Sequence, residues 1–240
     1  MKEEVLDFAQ PLVQAGRIYH QHKVVGLENI PTTGRALIVV THSLATYDIA
    51  FLFATIYEEL GRLCRPLADN FFFRVPYLSE LIEAIGGKQG TKENALSLLN
   101  NEQLVMVAPG GMREALRPSS ERYQVLWDKR KGFVRIALQT QTPIILAVCP
   151  KADDIFDVYE NSLTKLVYQK FRIPLIFGRG LGLTPLPRPV KLVHFLSEPI
   201  MPPKMLEDPK AFARQVNRLH KKVTGIAQDL IGKAIAYRDE

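Results

Sequence analysis

Three short runs of consecutive apolar residues mark the chain: Ala36-Leu37-Ile38-Val39-Val40, Leu104-Val105-Met106-Val107-Ala108 and Pro143-Ile144-Ile145-Leu146-Ala147-Val148-Cys149. Runs of this length predict strands covered on both faces. Between them the apolar period changes to that of helices. Val5, Phe8, Ala9, Leu12 and Val13 predict an amphipathic helix within 1–22, with Pro11 as a possible kink. Ile49 to Ile56 is continuously apolar and predicts a buried helix ending near Gly61. Leu78 to Ile85 predicts a short helix stopped by Gly86-Gly87, and Thr91-Lys92-Glu93-Asn94 predicts a helix start. Phe133 to Leu138 and Pro209 to Tyr237 complete the helices. The last presents Phe212, Val216, Leu219, Val223, Ile226 and Leu230 on a stripe expected to meet the core rather than lipid. Weaker strands are expected at Lys23–Leu27, Arg65–Ala68 and Val190–Phe195, and an irregular excursion from Phe171 to Pro189. Strands alternate with helices, with no repeat and no linker. The expectation is one α/β domain over 1–240, with a mixed, mostly parallel central sheet flanked by helices.

Composition narrows the function classes. At 47% hydrophobic residues the chain can fill a core. A net charge of +6 and a pI near 9.3 favour an anionic partner, such as a phosphorylated cofactor or an anionic membrane surface. Basic residues are spread along the chain without interleaved stacking aromatics, so nucleic acid is not expected. Two distant cysteines, Cys64 and Cys149, indicate neither a disulfide framework nor a zinc site. No cluster has metal-ligand spacing, and no metal or resident cofactor is expected. No run approaches the ~20 apolar residues of a membrane span, and the start lacks a signal-peptide pattern. The expected location is cytoplasmic, peripherally membrane-associated.

Chemistry gathers at two strand ends. The first buried run ends at Thr41 and His42 follows at once; five residues lie between it and Asp48, at the mouth of the next helix. Open α/β sheets commonly place reactive groups there. The second run passes into Pro109-Gly110-Gly111-Met112-Arg113-Glu114, where glycines let the backbone approach a ligand closely. A basic segment, Lys129-Arg130-Lys131, follows. The bland alternatives are a satisfied strand-end histidine, a tight turn with a surface ion pair, and a solvated charged face.

The ordered set of motifs resembles the glycerolipid (lysophospholipid) acyltransferase superfamily. The pieces are His42…Asp48, then Pro109-Gly110-Gly111-Met112-Arg113-Glu114. They are preceded by Gly26-Leu27-Glu28-Asn29-Ile30-Pro31 and followed by Lys131 to Ala137, Pro143-Ile144-Ile145, Leu186 to Val190 and Glu198-Pro199-Ile200. The His–Asp spacing is one residue longer than the family's common form. With the Pro-Gly-Gly-x-Arg-Glu turn, it is most similar to the diacylglycerol-acyltransferase-like branch. No arginine follows Gly86-Gly87, where phosphate-accepting members usually carry one.

The resemblance implies a glycerol-3-phosphate acyltransferase-like fold and an O-acyltransferase. An acyl thioester donor, acyl-CoA or acyl carrier protein, would be the co-substrate and a lipid hydroxyl the acceptor. A neutral acylglycerol or long-chain alcohol is favoured over a lysophospholipid. His42 suits the general base, with Asp48 holding its tautomer. Pro109, Gly110 and Gly111 would shape the substrate site. Arg113 would bind phosphate or polarise the carbonyl, Glu114 would orient Arg113 or the acceptor hydroxyl, and Lys131 would meet donor phosphates or headgroups. Phe71-Phe72-Phe73 and Leu175-Ile176-Phe177 are acyl-channel candidates. His20, His22, His194 and His220 lack motif context and are expected to be structural. Competing classes are a thioesterase or lipid hydrolase, with His42 activating water, and a non-enzymatic lipid- or nucleic-acid-binding protein; the missing G-x-S-x-G argues against an α/β-hydrolase.

Overall fold

The computed structural model describes residues 3–44, 48–70, 72–74, 78–159 and 178–238. Its centre is a seven-stranded sheet formed by β1 (Lys23–Val25), β2 (Ala36–Val40), β3 (Cys64–Ala68), β4 (Lys88–Gln89), β5 (Leu104–Val107), β6 (Ile144–Val148) and β9 (Val193–Leu196). The spatial order is β1-β9-β6-β2-β5-β3-β4. From β6 to β4 every pairing is parallel, whereas β9 joins β6 antiparallel and carries β1 parallel to itself. A separate two-stranded ribbon pairs β7 (Asp157–Val158) with β8 (Gly178–Arg179). The mixed, mostly parallel sheet matches the sequence expectation.

Among the described residues the α-helices are α1 (Glu3–Tyr19), α2 (Ile49–Leu60), α3 (Leu78–Ala84), α4 (Lys92–Asn100), α5 (Gly111–Ala115), α6 (Gly132–Thr140) and α7 (Pro209–Ala236). The all-buried pattern of β2 resolves into two faces. Leu37 and Val39 pack with Val105, Ile144 and Leu146 against α4, α6 and α7, around the buried Trp127. Ala36, Ile38 and Val40 pack with Met106 and Ile145 against Leu52 and Ile56 of α2. Side chains alternate across a strand, so a run apolar at every position is what a doubly covered strand requires. The α7 stripe is core: Val216, Leu219, Val223 and Ala227 are buried against the first face.

Local caps follow the sequence. Thr91 accepts from Asn94 N–H, and Asp208 accepts from Ala211 N–H, at the starts of α4 and α7. Two of the weaker strands are shorter than expected, β9 beginning at Val193 rather than Val190. The first strand ends at Val25, because Gly26 takes a left-handed φ of 84° and leads into a 3₁₀ turn over Leu27–Asn29. A Cβ at Gly26 would meet the Leu196 carbonyl oxygen at 2.6 Å. Among the aromatic candidates, Phe71 and 175–177 lie outside the described residues; Phe72 lies in a 3₁₀ turn, Phe72–Arg74.

Candidate active site

The carboxyl ends of β2 and β5 sit side by side, since Val39 pairs with Val107. The chain therefore delivers His42 and the Pro109 turn to one place. Pro109-Gly110-Gly111 is not a bare turn, because it opens α5 at once. A Cβ on Gly110 would collide with the Glu114 side chain, and Gly111 has a φ of 48° with Arg130 against it. Both positions need glycine for a definite steric reason.

Glu114 is fully buried. Its Oε2 accepts from His42 N–H at 3.0 Å and its Oε1 from Leu126 N–H at 3.1 Å. Burial pushes its carboxyl upward, while Arg117 and the two amides pull it down. The expected orientation of Arg113 by Glu114 is not what the fold builds: Arg113 instead forms an ion pair with Glu121 at 2.7 Å, near the surface. A carboxylate sealed beneath the His42 backbone serves to hold that backbone. Its partner Arg117, missed from sequence, is also buried. Arg117 donates to the His42 carbonyl at 2.6 Å and to the Gln124 carbonyl at 2.6 Å, and pairs with Asp153 at 3.4 Å. His42 is thus gripped at both its N–H and its C=O. The signal was Glu-x-x-Arg at helical spacing.

The His42 ring donates Nδ1–H to the Ser43 carbonyl at 3.1 Å. A carbonyl only accepts, so Nε2 holds the lone pair. Burial lowers the pKa of His42, with Arg117 and Arg130 adding to it, against the Ser43 carbonyl and Asp48. The ring is therefore neutral at neutral pH and able to take a proton.

Asp48 starts α2 without capping it. It folds inward, where it is buried, accepts from Ser43 Oγ–H and pairs with His194 Nε2 at 3.2 Å. The five-residue spacing thus brings the carboxylate back to Ser43 and His194. It reaches His42 through Ser43, not by gripping the ring itself. Burial works against its ionisation, but the His194 and Ser43 bonds prevail and hold its carboxyl below the usual value. Expected to be merely structural, His194 and His22 extend this chain, His22 Nε2 lying 2.9 Å from His194 Nδ1. The available signal was alternation: His194 shares a face of its strand with Leu192 and Leu196.

Two cavities meet at His42. The larger, about 1600 Å³, is walled by α1, α2, α6 and the strand ends, with Val40, Ile49, Phe53, Ala54, Met106, Ile136 and Phe212 among its apolar lining. Pro109, Gly111 and Met112 border it, as do the cations Lys92, Arg130 and Arg135. Arg130 also donates to the Pro109 carbonyl at 3.0 Å. The smaller, about 10 Å³, lies among Ser43, Asp48, Arg117, Tyr123, Cys149 and Asp153. Lys131 turns its amine to Asn217 Oδ1 at 2.7 Å. Among the described residues, Asp48, Cys149 and His194 form the one group with the ligand spacing of a metal site, and two of the three already bond each other.

Residues 34–234 match the diacylglycerol acyltransferase family. A Mus musculus protein named DGAT1/2-independent enzyme synthesizing storage lipids is 35% identical over 217 residues, which cover 90% of this chain and 61% of that protein. The Homo sapiens protein of the same name is 33% identical over 217 residues, covering 90% and 62%. This chain thus spans about three fifths of the length of these relatives. The solved structure of the 1-acyl-sn-glycerophosphate acyltransferase PlsC from Thermotoga maritima superposes with a TM-score of 0.57 at 17% identity, covering 99% of this chain and 81% of that one. That likeness is one of fold. With the family match running over six of the seven strands of the sheet, the His42 site and most of α7, the chain belongs to the diacylglycerol acyltransferase family.

Proposed function

We propose that this protein transfers a fatty acyl group from an acyl thioester to a lipid hydroxyl, with His42 as general base. One observation carries the reading. A neutral histidine, its Nδ1–H committed to a backbone carbonyl, stands on the wall of an apolar cavity of about 1600 Å³. That volume exceeds the ~300–1,000 Å³ of ordinary small-molecule pockets, as long-chain reactants require. In the reaction, Nε2 takes the acceptor's hydroxyl proton as the oxygen attacks the thioester carbonyl. The tetrahedral adduct collapses, the C–S bond breaks, and the thiol leaves with the proton from Nε2. Asp48 stabilises the imidazolium through space, and Glu114 and Arg117 hold the His42 backbone. The family match and the name of the mouse relative support a neutral acylglycerol acceptor.

A lysophospholipid acceptor is the second reading, and Lys92, Arg130 and Arg135 on the same cavity favour it. Among the described residues no helix is long and apolar enough to cross a membrane. The net charge of +6 would assist approach to an anionic lipid surface.

The test is product analysis with labelled acyl-CoA or acyl carrier protein, offering diacylglycerol, monoacylglycerol, long-chain alcohol and lysophosphatidate as acceptors. Acceptor-dependent product that falls about 10²–10⁴-fold in His42→Ala is expected. Acyl release independent of acceptor points instead to a thioesterase. Unchanged product in the variant removes His42 from the chemistry.

A further inference from the structure

We infer that His194 is a positioning residue of this site: it holds Asp48 in place and, through Ser43, fixes which nitrogen of His42 carries the proton. The inference rests on the acyl-transfer reading above.

One chain of contacts runs from His194 to His42. A carboxylate only accepts, so the bond between His194 Nε2 and Asp48 Oδ2, at 3.2 Å, places a proton on His194 Nε2. In the neutral ring Nδ1 is then an acceptor, and His22 Nε2 lies 2.9 Å from it. The other oxygen of Asp48 receives the Ser43 hydroxyl. Ser43 is the residue whose carbonyl takes Nδ1–H of His42. Both ends of Ser43 are therefore used, its side chain by Asp48 and its backbone by His42.

Every inner link is sealed. Asp48 and His194 are each 2% exposed and Ser43 4%. A buried carboxylate that lost one of its two side-chain donors would have no water to turn to, and would move or take up a proton. Either change would release the Ser43 side chain and with it the carbonyl that sets the His42 tautomer. The strand order explains why this residue does the work. β9 lies beside β6 and pairs Val24 of β1 with His194, which brings the ring under the start of α2 from the opposite edge of the site.

The experiment uses the full chain and the acyl-transfer assay. His194→Phe keeps an aromatic ring and removes both nitrogens. His194→Gln restores an amide N–H about where Nε2 stood. A loss of kcat of about 10²-fold is expected in His194→Phe, with KM for the acyl thioester within about twofold and at least tenfold recovery in His194→Gln. A purely structural role would not give recovery by a flexible amide. If His194→Phe does not fold, Ser43→Ala cuts the same chain nearer His42 with the loss of a single oxygen. It should lower kcat about tenfold at unchanged KM. Wild-type kcat in His194→Phe or in Ser43→Ala overturns the inference, as does a loss that His194→Gln fails to recover while folded. Transfer that depends on His42 but ignores His194 and Ser43 sinks only this inference. Transfer that does not depend on His42 sinks the acyl-transfer reading as well.

Discussion

The two sides of His42 are made of opposite materials. On one side lies a cavity of about 1600 Å³ lined mostly by aliphatic and aromatic residues. On the other a gap of about 10 Å³ is packed round by Ser43, Asp48, Arg117, Cys149 and Asp153. An apolar wall accepts chains of many shapes, because dispersion and the hydrophobic effect are non-directional. A buried polar wall tolerates one arrangement, because each unpaired donor or acceptor carries a desolvation penalty. The base is thus held by the strict side and offered to the permissive side. Perturbing the two walls should have different signatures: loss of fold and turnover on the polar side, change of substrate range on the apolar side.

The largest effect is expected at Glu114. Glu114→Ala removes the acceptor for two backbone N–H groups and leaves Arg117 with Asp153 as its remaining acidic partner. Breaking a buried pair from one side costs about 3–5 kcal/mol, against a total stability of ~5–15 kcal/mol. Urea unfolding should show a midpoint lowered by a large fraction, and Glu114→Gln a smaller drop. A variant that unfolds like wild type and loses only substrate affinity would show Glu114 to be a substrate contact after all.

Next in size is the response to acid. Burial lowers the pKa of His42, so its base form persists below the ordinary value of about 6.5. Turnover should be flat near pH 7 and fall by up to about tenfold per unit once pH drops through the lowered value. The sign for stability is the same. The unfolded chain binds the proton first, so folding weakens as pH falls below about 6.5. A kcat profile whose acid limb lies above pH 7 would contradict a desolvated base.

Much of this site could be read from the chain, and the parts that could not share a cause. β2, β5 and β6 were legible because their apolar runs leave no polar face. His42, Asp48 and the Pro109 turn were legible because a reactive residue at a strand end is a local pattern. The partners of Asp48 were not. Ser43 is one of five residues between His42 and Asp48 with no motif of its own, and His194 arrives on a strand whose register with β1 is set only in three dimensions. Arg117 was hidden for a different reason. Its guanidinium grips the backbone carbonyl of His42, which any residue carries, so its mark in the sequence was the Glu-x-x-Arg spacing alone. The Arg113–Glu114 pairing failed because adjacent residues on a helix do not face each other.

The apolar side should respond more gently. Ala54 of α2 lines the large cavity. Ala54→Trp places an indole in that space without cutting into a packed core. The kcat/KM for long acyl chains should fall about tenfold relative to short ones, in the range that hydrophobic pockets discriminate, with thermal unfolding nearly unchanged. Equal losses for all chain lengths would mean that the cavity does not hold the acyl group.

The smallest effect is expected at Lys131, where two weak terms oppose each other. Its amine donates to Asn217 Oδ1 at 2.7 Å, linking α6 to α7, a contact worth about 0.5–1.5 kcal/mol at most. It also stands at the start of α6, where a cation meets the positive end of the helix dipole at a penalty of about 0.3–1 kcal/mol. Lys131→Ala loses the first and relieves the second, so stability should change by no more than about 1 kcal/mol. With the amine turned towards α7, KM for acyl-CoA should also stay within about twofold. A rise well beyond that, weakening as salt is added, would show that Lys131 leaves Asn217 to meet a phosphate. The permissive side of His42 would then have a charged rim as well as an apolar wall.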